Sequence, residues 1–292
     1  MYKGSYPAIV TPFKNNAIDD NGLRKNITFL VEHGSSGIVA CGTTGEAPSL
    51  NDDEYEDVIR TAVEAAENTV PVIAGAGTNS TTKTIKLVHK AKKYGAQGAL
   101  IVTPYYNKPT QQGLYEHYKT ISEESEIPII IYNVPGRTSC NILPKTVARL
   151  AKDCKNIVGI KEASGNLDQV TEIQKLCSDK FDILSGDDSL TFPMMAIGAK
   201  GVISVVANIL PDDMSKMCTL ALQGNIVEAR KIHIKLFSVI KALFLETNPI
   251  PVKKAMELMG MPAGKPRLPL VEMSKENTDV LKKILIEYGM KL

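Results

Sequence analysis

Eight short apolar runs rich in β-branched residues, each closed by a turn-rich segment and followed by a helical pattern, predict an α/β fold. The architecture they suit is a (β/α)8 TIM barrel with a C-terminal helical appendage. The runs are apolar on both faces, as strands of a wholly parallel sheet covered by helices must be. Eight of them fit a closed barrel, and the alternation stops after Gly224. A doubly wound open sheet stays open as the alternative, because a strand count does not prove closure.

In order, the expected strands are Tyr6–Thr11, Gly37–Cys41, Val70–Ala74, Ala99–Thr103, Ile127–Asn133, Ile157–Lys161, Phe181–Ser185 and Gly201–Val206. Helix starts are marked by Asn51-Asp52-Asp53-Glu54, Asn79-Ser80-Thr81-Thr82 and Pro211-Asp212-Asp213, where side-chain oxygens cap orphan amides. Beyond Gly224, Val227–Leu245, Pro251–Met259 and Ser274–Tyr288 read as successive helices separated by Pro/Gly breaks. The expected division is therefore a barrel at 1–224 and a helical region at 225–292. Gly75-Ala76-Gly77-Thr78-Asn79-Ser80 lacks the third glycine of a dinucleotide fingerprint and follows the third strand, and no P-loop is present.

The bulk composition excludes several function classes. A net charge of +2, with lysines scattered in the pairs Lys92-Lys93, Lys253-Lys254 and Lys282-Lys283 that read as solvated helix faces, forms no basic stripe for nucleic acid or an anionic membrane. The start has no signal-peptide core, and no run reaches the ~20 apolar residues of a membrane helix, so a cytoplasmic protein is expected. Five widely spaced cysteines without a Cys-x-x-Cys pair, and four histidines without a partner at ligand spacing, indicate neither a disulfide framework nor a metal site.

Lys161 is the residue most out of place. It ends the apolar run Ile157-Val158-Gly159-Ile160, where a buried strand should carry no charge. Burying an ammonium is costly, and losing the proton relieves the cost while creating a nucleophile. A free lysine titrates near ~10.4, so useful neutrality requires a depression of roughly 3 units, much of which a dry barrel mouth could supply. The alternative is a lysine snorkelling from a strand end with its head in water.

Chemistry in such a barrel collects at the carboxyl ends of the strands. Tyr132 follows Pro128 by four positions, as Lys161 follows Ile157 by four; if the runs begin level, the two side chains share one height on adjacent strands. Alternation sends Ile157, Gly159 and Lys161 to one face, with Gly159 leaving space beneath the lysine stem. A phenol beside an amine exchanges protons as carbon–nitrogen bonds form and break; alternatively, Tyr132 is an aromatic plug. Cys41-Gly42-Thr43-Thr44-Gly45-Glu46 ends the second strand with hydroxyls and amides free to face a carboxylate, or is only a tight turn. Arg137 offers a fork for a substrate carboxylate, or is a surface loop residue. After the seventh strand, Gly186-Asp187-Asp188 carries two carboxylates that repel a phosphate dianion, so carboxylate substrates are favoured; the acidic pair is expected to cap the next helix, with a catalytic role as the alternative.

Four segments, Gly42-Thr43-Thr44-Gly45-Glu46, Pro104-Tyr105-Tyr106-Asn107-Lys108, Tyr132-Asn133-Val134-Pro135-Gly136-Arg137-Thr138 and Gly159-Ile160-Lys161-Glu162-Ala163-Ser164, closely resemble the dihydrodipicolinate synthase family. The likeness extends through Asn248-Pro249-Ile250-Pro251-Val252-Lys253. The resemblance implies a class I, Schiff-base aldolase-type lyase of lysine and diaminopimelate biosynthesis that uses no cofactor. By that resemblance Lys161 forms an imine with pyruvate, and the derived enamine adds to the aldehyde of L-aspartate-4-semialdehyde. Tyr132 carries protons, linked through Thr43 to Tyr106 reaching in from a neighbouring subunit. Thr43 and Thr44 hold the pyruvate carboxylate, Arg137 holds the semialdehyde carboxylate, and the backbone carbonyls of Gly186 and Ile203 help position the substrate. The implied assembly is a homotetramer, a dimer of tight dimers.

Two rivals remain at this point. N-acetylneuraminate lyase and keto-deoxy sugar-acid aldolases resemble the chain in fold, lysine and tyrosine, but a site for a long polyhydroxy chain has less use for Arg137. A non-catalytic keto-acid sensor would keep the barrel, yet every polar participant is present. Lysine-inhibited family members tend to have histidines near Asp52 and Tyr55 and a glutamate at Lys83; Asn79 and Tyr105 match, but an ammonium at Lys83 repels another, so weak or absent inhibition is expected.

Overall fold

The computed structural model describes residues 1–292. Eight strands form one parallel sheet: β1 (Gly4–Pro7), β2 (Ile38–Ala40), β3 (Val72–Gly75), β4 (Gly98–Val102), β5 (Ile129–Asn133), β6 (Ile157–Glu162), β7 (Asp182–Ser185) and β8 (Gly201–Ser204). From β2 to β8 each pairs with its sequence neighbour, and β8 returns to β1 with Gly4 opposite Gly201 and Tyr6 opposite Ile203. Between β1 and β2 the ring is joined by one isolated bridge, Ala8 to Val39, where the Ile9 N–H donates to the Val39 carbonyl at 3.0 Å. That contact decides against the open sheet, whose edge strands would have no such partner.

The strands differ from the expected runs mainly at the first, which pairs over Gly4–Pro7 rather than Tyr6–Thr11. Phe13–Lys14 and Ala17–Ile18 form a small antiparallel ribbon that the apolar pattern did not flag. Its signal is Asn15-Asn16, both in the left-handed region (φ 52° and 62°), the conformation a two-residue hairpin turn requires.

Helices start where side chains can accept orphan amides. Asp52–Ala65 opens with a capping box: Asn51 Oδ1 accepts from the Glu54 N–H at 2.9 Å and Glu54 Oε2 from the Asn51 N–H at 3.0 Å. Ser80 caps Thr81–Lys93. The helix Pro211–Leu222 has no side-chain cap, contrary to expectation; Pro211 itself removes one orphan donor, and Asp213 reaches Lys235 at 2.9 Å instead. Helices Ile226–Ala242, Ile250–Leu258 and Lys275–Tyr288 follow. No helix is long and apolar enough to cross a membrane.

Apolar side chains fill two regions, one between strands and helices and one inside the barrel, where Tyr6, Val39, Ile73, Leu100, Ile130 and Leu184 interlock. The floor is polar at one point: buried Asp182 accepts from the Tyr2 N–H at 2.7 Å, and the Tyr2 hydroxyl donates to the Gln97 carbonyl at 3.1 Å. A floor tied this way leaves the opposite, carboxyl end of the strands as the open end.

Candidate active site

Lys161 and Tyr132 face each other directly across β5 and β6, but not because the two runs begin level. Ile129 pairs with Ile157, the register then slips, and Ile130 pairs with Gly159. Val158 is the extra residue, a bulge. Without it, Tyr132 would stand opposite Ile160. The bulge also separates Ile157 from the face of Lys161: Ile157 packs in the outer core with Ile160, while Val158 turns toward the barrel interior. The expected sharing of one face by Ile157, Gly159 and Lys161 is therefore corrected.

The space beside the lysine stem comes from a different glycine than expected. A Cβ on Gly159 would lie 2.4 Å from the Asp182 carbonyl oxygen, so that glycine permits close approach of β7. A Cβ on Gly186 would lie 3.0 Å from Lys161 Cε and 3.1 Å from its Cγ. Gly186 thus keeps the lysine channel free, and its N–H is fixed by the Glu162 carbonyl at 2.8 Å.

Lys161 is only 6 % exposed, and its Nζ sits 4.2 Å from the Tyr132 ring centroid. Its neighbour Glu162 is buried on the opposite side of the strand, accepting from Asn133 Nδ2 at 2.9 Å, Gln169 Nε2 at 3.0 Å and the Ser164 N–H at 2.6 Å. That network holds β6 and the loop after it rigidly and gives the Lys161 side chain a fixed anchorage.

A cavity of about 790 Å³ opens over the barrel mouth, lined among others by Thr43, Tyr132, Arg137, Tyr105 and Lys83. Lys161, Thr44, Gly186 and Ile203 are not among its walls; the Lys161 Nζ lies over the ring of Tyr132, which is, and Ile203 is buried in the barrel interior. Cys41 also lines the cavity, but complete burial pushes its thiol far up, leaving it protonated and unreactive. Tyr106 is not brought to the site of its own chain: it is 90 % exposed, in a left-handed conformation (φ 71°).

The turn Cys41–Glu46 is strained, with Cys41 at φ 52° and Glu46 at φ 54°. What holds it comes from the C-terminal helices. Lys253, in Ile250–Leu258, meets Glu46 in a fully buried ion pair at 2.6 Å, and Glu46 Oε2 accepts from the Arg267 N–H at 2.8 Å. Burial holds the Lys253 ammonium below the ordinary lysine value, with Glu46 opposing that shift. Asn248 Nδ2 donates to Thr44 Oγ1 at 3.0 Å, and Arg137 Nη2 to the Asn248 carbonyl at 3.4 Å. None of these contacts was foreseen from sequence; Glu46 and Lys253 lie 207 positions apart, and the only signal was that both fall in segments resembling the family.

The acidic pair after β7 divides its duties. Asp187 caps the short turn that follows, accepting from the Ser189 N–H at 2.8 Å. Asp188 does not cap that helix: it is buried and accepts from the Val205 and Val206 N–H groups at 3.0 and 2.9 Å, which pins the loop after β8. Burial pushes its carboxyl up to about 6, against the hydrogen bonds that favour its anion.

A buried amine with no carboxylate partner, a phenol across its strand, a hydroxyl-bearing turn and an arginine at the rim make an arrangement suited to covalent catalysis on a small oxo acid. Comparison with known proteins agrees in kind. Residues 1–288 match the model of the dihydrodipicolinate synthetase family. A 4-hydroxy-tetrahydrodipicolinate synthase of Geotalea uraniireducens is 53% identical over 290 residues, covering 99% of this chain and 100% of the relative. The crystal structure of dihydrodipicolinate synthase from Aquifex aeolicus superposes with a TM-score of 0.98 at 49% identity, covering 100% and 99% of the two chains. Another solved relative, described as a monomeric dihydrodipicolinate synthase variant, gives a TM-score of 0.98 at 47% identity over 99% and 98%. With the match running through barrel and appendage alike, the chain belongs to the dihydrodipicolinate synthetase family.

Proposed function

We propose that the condensation this lyase catalyses, 4-hydroxy-tetrahydrodipicolinate synthesis from pyruvate and L-aspartate-4-semialdehyde, runs through an imine on Lys161. The observation that carries this is the amine itself, buried in an apolar strand with its Nζ 4.2 Å from the Tyr132 ring and level with that residue. The Lys161 amine adds to C2 of pyruvate, and water leaves to form the imine. Loss of a methyl proton from C3 gives the enamine, whose carbon bonds to the aldehyde carbon of the second substrate. The amine of that substrate then attacks C2, closing the ring and expelling Lys161 as the free amine.

Tyr132 is the proposed proton carrier, since its phenol is the acid–base group across the strand from the reacting nitrogen. Thr43, on the cavity wall with Tyr132, passes protons onward. Thr43 and Thr44 bind the pyruvate carboxylate, Arg137 at the rim binds that of the semialdehyde, and the Gly186 and Ile203 carbonyls orient the bound species. The exposure and backbone strain of Tyr106 support its insertion into the site of a neighbouring subunit, in a homotetramer built as a dimer of tight dimers. A division at 224/225 makes the helical region a brace for the Thr43–Thr44 turn, through Asn248 and Lys253. The cytoplasm is the proposed compartment, checked by cell fractionation.

Borohydride reduction in the presence of pyruvate tests the imine: the Lys161 peptide gains a pyruvate-derived mass, and an unmodified peptide refutes it. A product assay comparing pyruvate plus L-aspartate-4-semialdehyde with N-acetylneuraminate separates the condensation from the sugar-acid cleavage of structurally similar enzymes.

A further inference from the structure

We infer that Asn248 is a positioning residue that fixes the polarity of the Thr44 hydroxyl, making it a hydrogen-bond donor to the pyruvate carboxylate. This rests on the carboxylate-binding role proposed above for Thr44. Asn248 belongs to the segment just before the helix Ile250–Leu258, far in sequence from the barrel mouth, yet it is buried and its Nδ2 donates to Thr44 Oγ1 at 3.0 Å. A threonine hydroxyl carries one proton and two acceptor lone pairs. Once a lone pair is engaged by the amide, the proton must point elsewhere. No protein acceptor takes the Thr44 proton, and Thr44 itself is only 2 % exposed.

Asn248 Oδ1 is buried and has no hydrogen-bond partner. An unmet buried acceptor is a cost, tolerated where another contact of the residue requires it. The backbone carbonyl of Asn248 accepts from Arg137 Nη2 at 3.4 Å, so one residue touches both groups proposed to hold the two substrate carboxylates.

A double-mutant cycle reads the inference. In Asn248→Ala the pyruvate KM rises about tenfold, the equivalent of about 1.4 kcal/mol, with a smaller fall in kcat. Thr44→Val raises the pyruvate KM on its own, and adding Asn248→Ala to it brings no further rise, because the amide acts through the missing hydroxyl. Multiplying effects, or an unchanged KM in Asn248→Ala, would overturn the inference. Asn248→Asp supplies an independent measurement: the same shape, but a carboxylate that takes the Thr44 proton and repels the substrate anion. It should raise the pyruvate KM more than Asn248→Ala does; an Asp variant closer to wild type than the Ala variant would mean that Asn248 only fills space. Borohydride trapping on wild-type Lys161 keeps the two proposals apart: absence of trapping sinks the imine, whereas intact trapping beside either contrary KM result sinks the role of Asn248 alone.

Discussion

Val158 sets the height of the proposed nucleophile. As the extra residue of β6 it lifts Lys161 into line with Tyr132, and the position of the pair follows from one bulge rather than from equal run lengths. Lys161 was legible in the sequence because a charge in an apolar run breaks the strand pattern. The bulge was not, since Ile157-Val158 looks the same to any periodicity as two regular strand residues. At this scale Tyr132→Phe should lower kcat by about 10²-fold or more, the usual contribution of a positioned acid–base group. Thr43→Val should lose turnover far more than pyruvate affinity; equal losses in steady-state kinetics would reduce Thr43 to a binding residue. Asp188 yields a pH prediction. Its folded-state value, raised to about 6 by burial, lies above that of an unfolded aspartate, so its contribution to stability is fully present below about pH 4 and is lost as pH rises through about 6. Asp188→Asn should therefore gain on wild type between pH 4 and pH 7, by up to about 3 kcal/mol in urea unfolding. A difference that stays constant with pH would refute the shift.

The elements were more legible than the contacts between them. Alternating runs and helix starts identified the parallel strands, because burial on both faces and capping are local signals. The Asn15-Asn16 ribbon was missed because its strands are two residues each, too short for any period. The brace from the helix Ile250–Leu258 was missed for another reason: a lysine in a helix reads as a solvated face, whereas Lys253 is fully buried against Glu46. Removing one partner of such a pair strands the other without compensation. Lys253→Met should cost about 3–5 kcal/mol in denaturant unfolding, and Glu46→Gln on that background should recover part of it. A loss below about 1 kcal/mol, typical of surface pairs, would show that the pair does not hold the turn.

For the whole molecule, the proposed site is unfinished within one chain. Tyr106 projects outward on a loop anchored by Asn107 Nδ2, which donates to the Asn79 carbonyl at 2.9 Å. Mixing Lys161→Ala subunits with Tyr106→Phe subunits should restore turnover, because each hybrid pair contains one site with both wild-type residues. No recovery, with hybrids demonstrated by mass, would place Tyr106 outside the chemistry. The cavity also bears on regulation, since Lys83 and Lys86 line it alongside Lys90, which is paired with Asp52 and Glu56. Free lysine should inhibit weakly or not at all, and a strong fall in rate at modest lysine concentration would contradict this. Assembly and effector response lay beyond the reach of periodicity, because both depend on surfaces whose partners are not in the chain.

The barrel is a hoop with a single clasp. Seven of its joins are ladders, and the eighth is the lone Ala8–Val39 bridge, directly below the turn that bears Thr43 and Thr44. Thermal breathing of the wall concentrates at its least-fastened join. The hydroxyl-bearing turn therefore sits over the least-laddered join of the cylinder and takes its firmness from the Lys253–Glu46 pair and the Asn248 contact rather than from the wall, while the lysine stands on the opposite, laddered side.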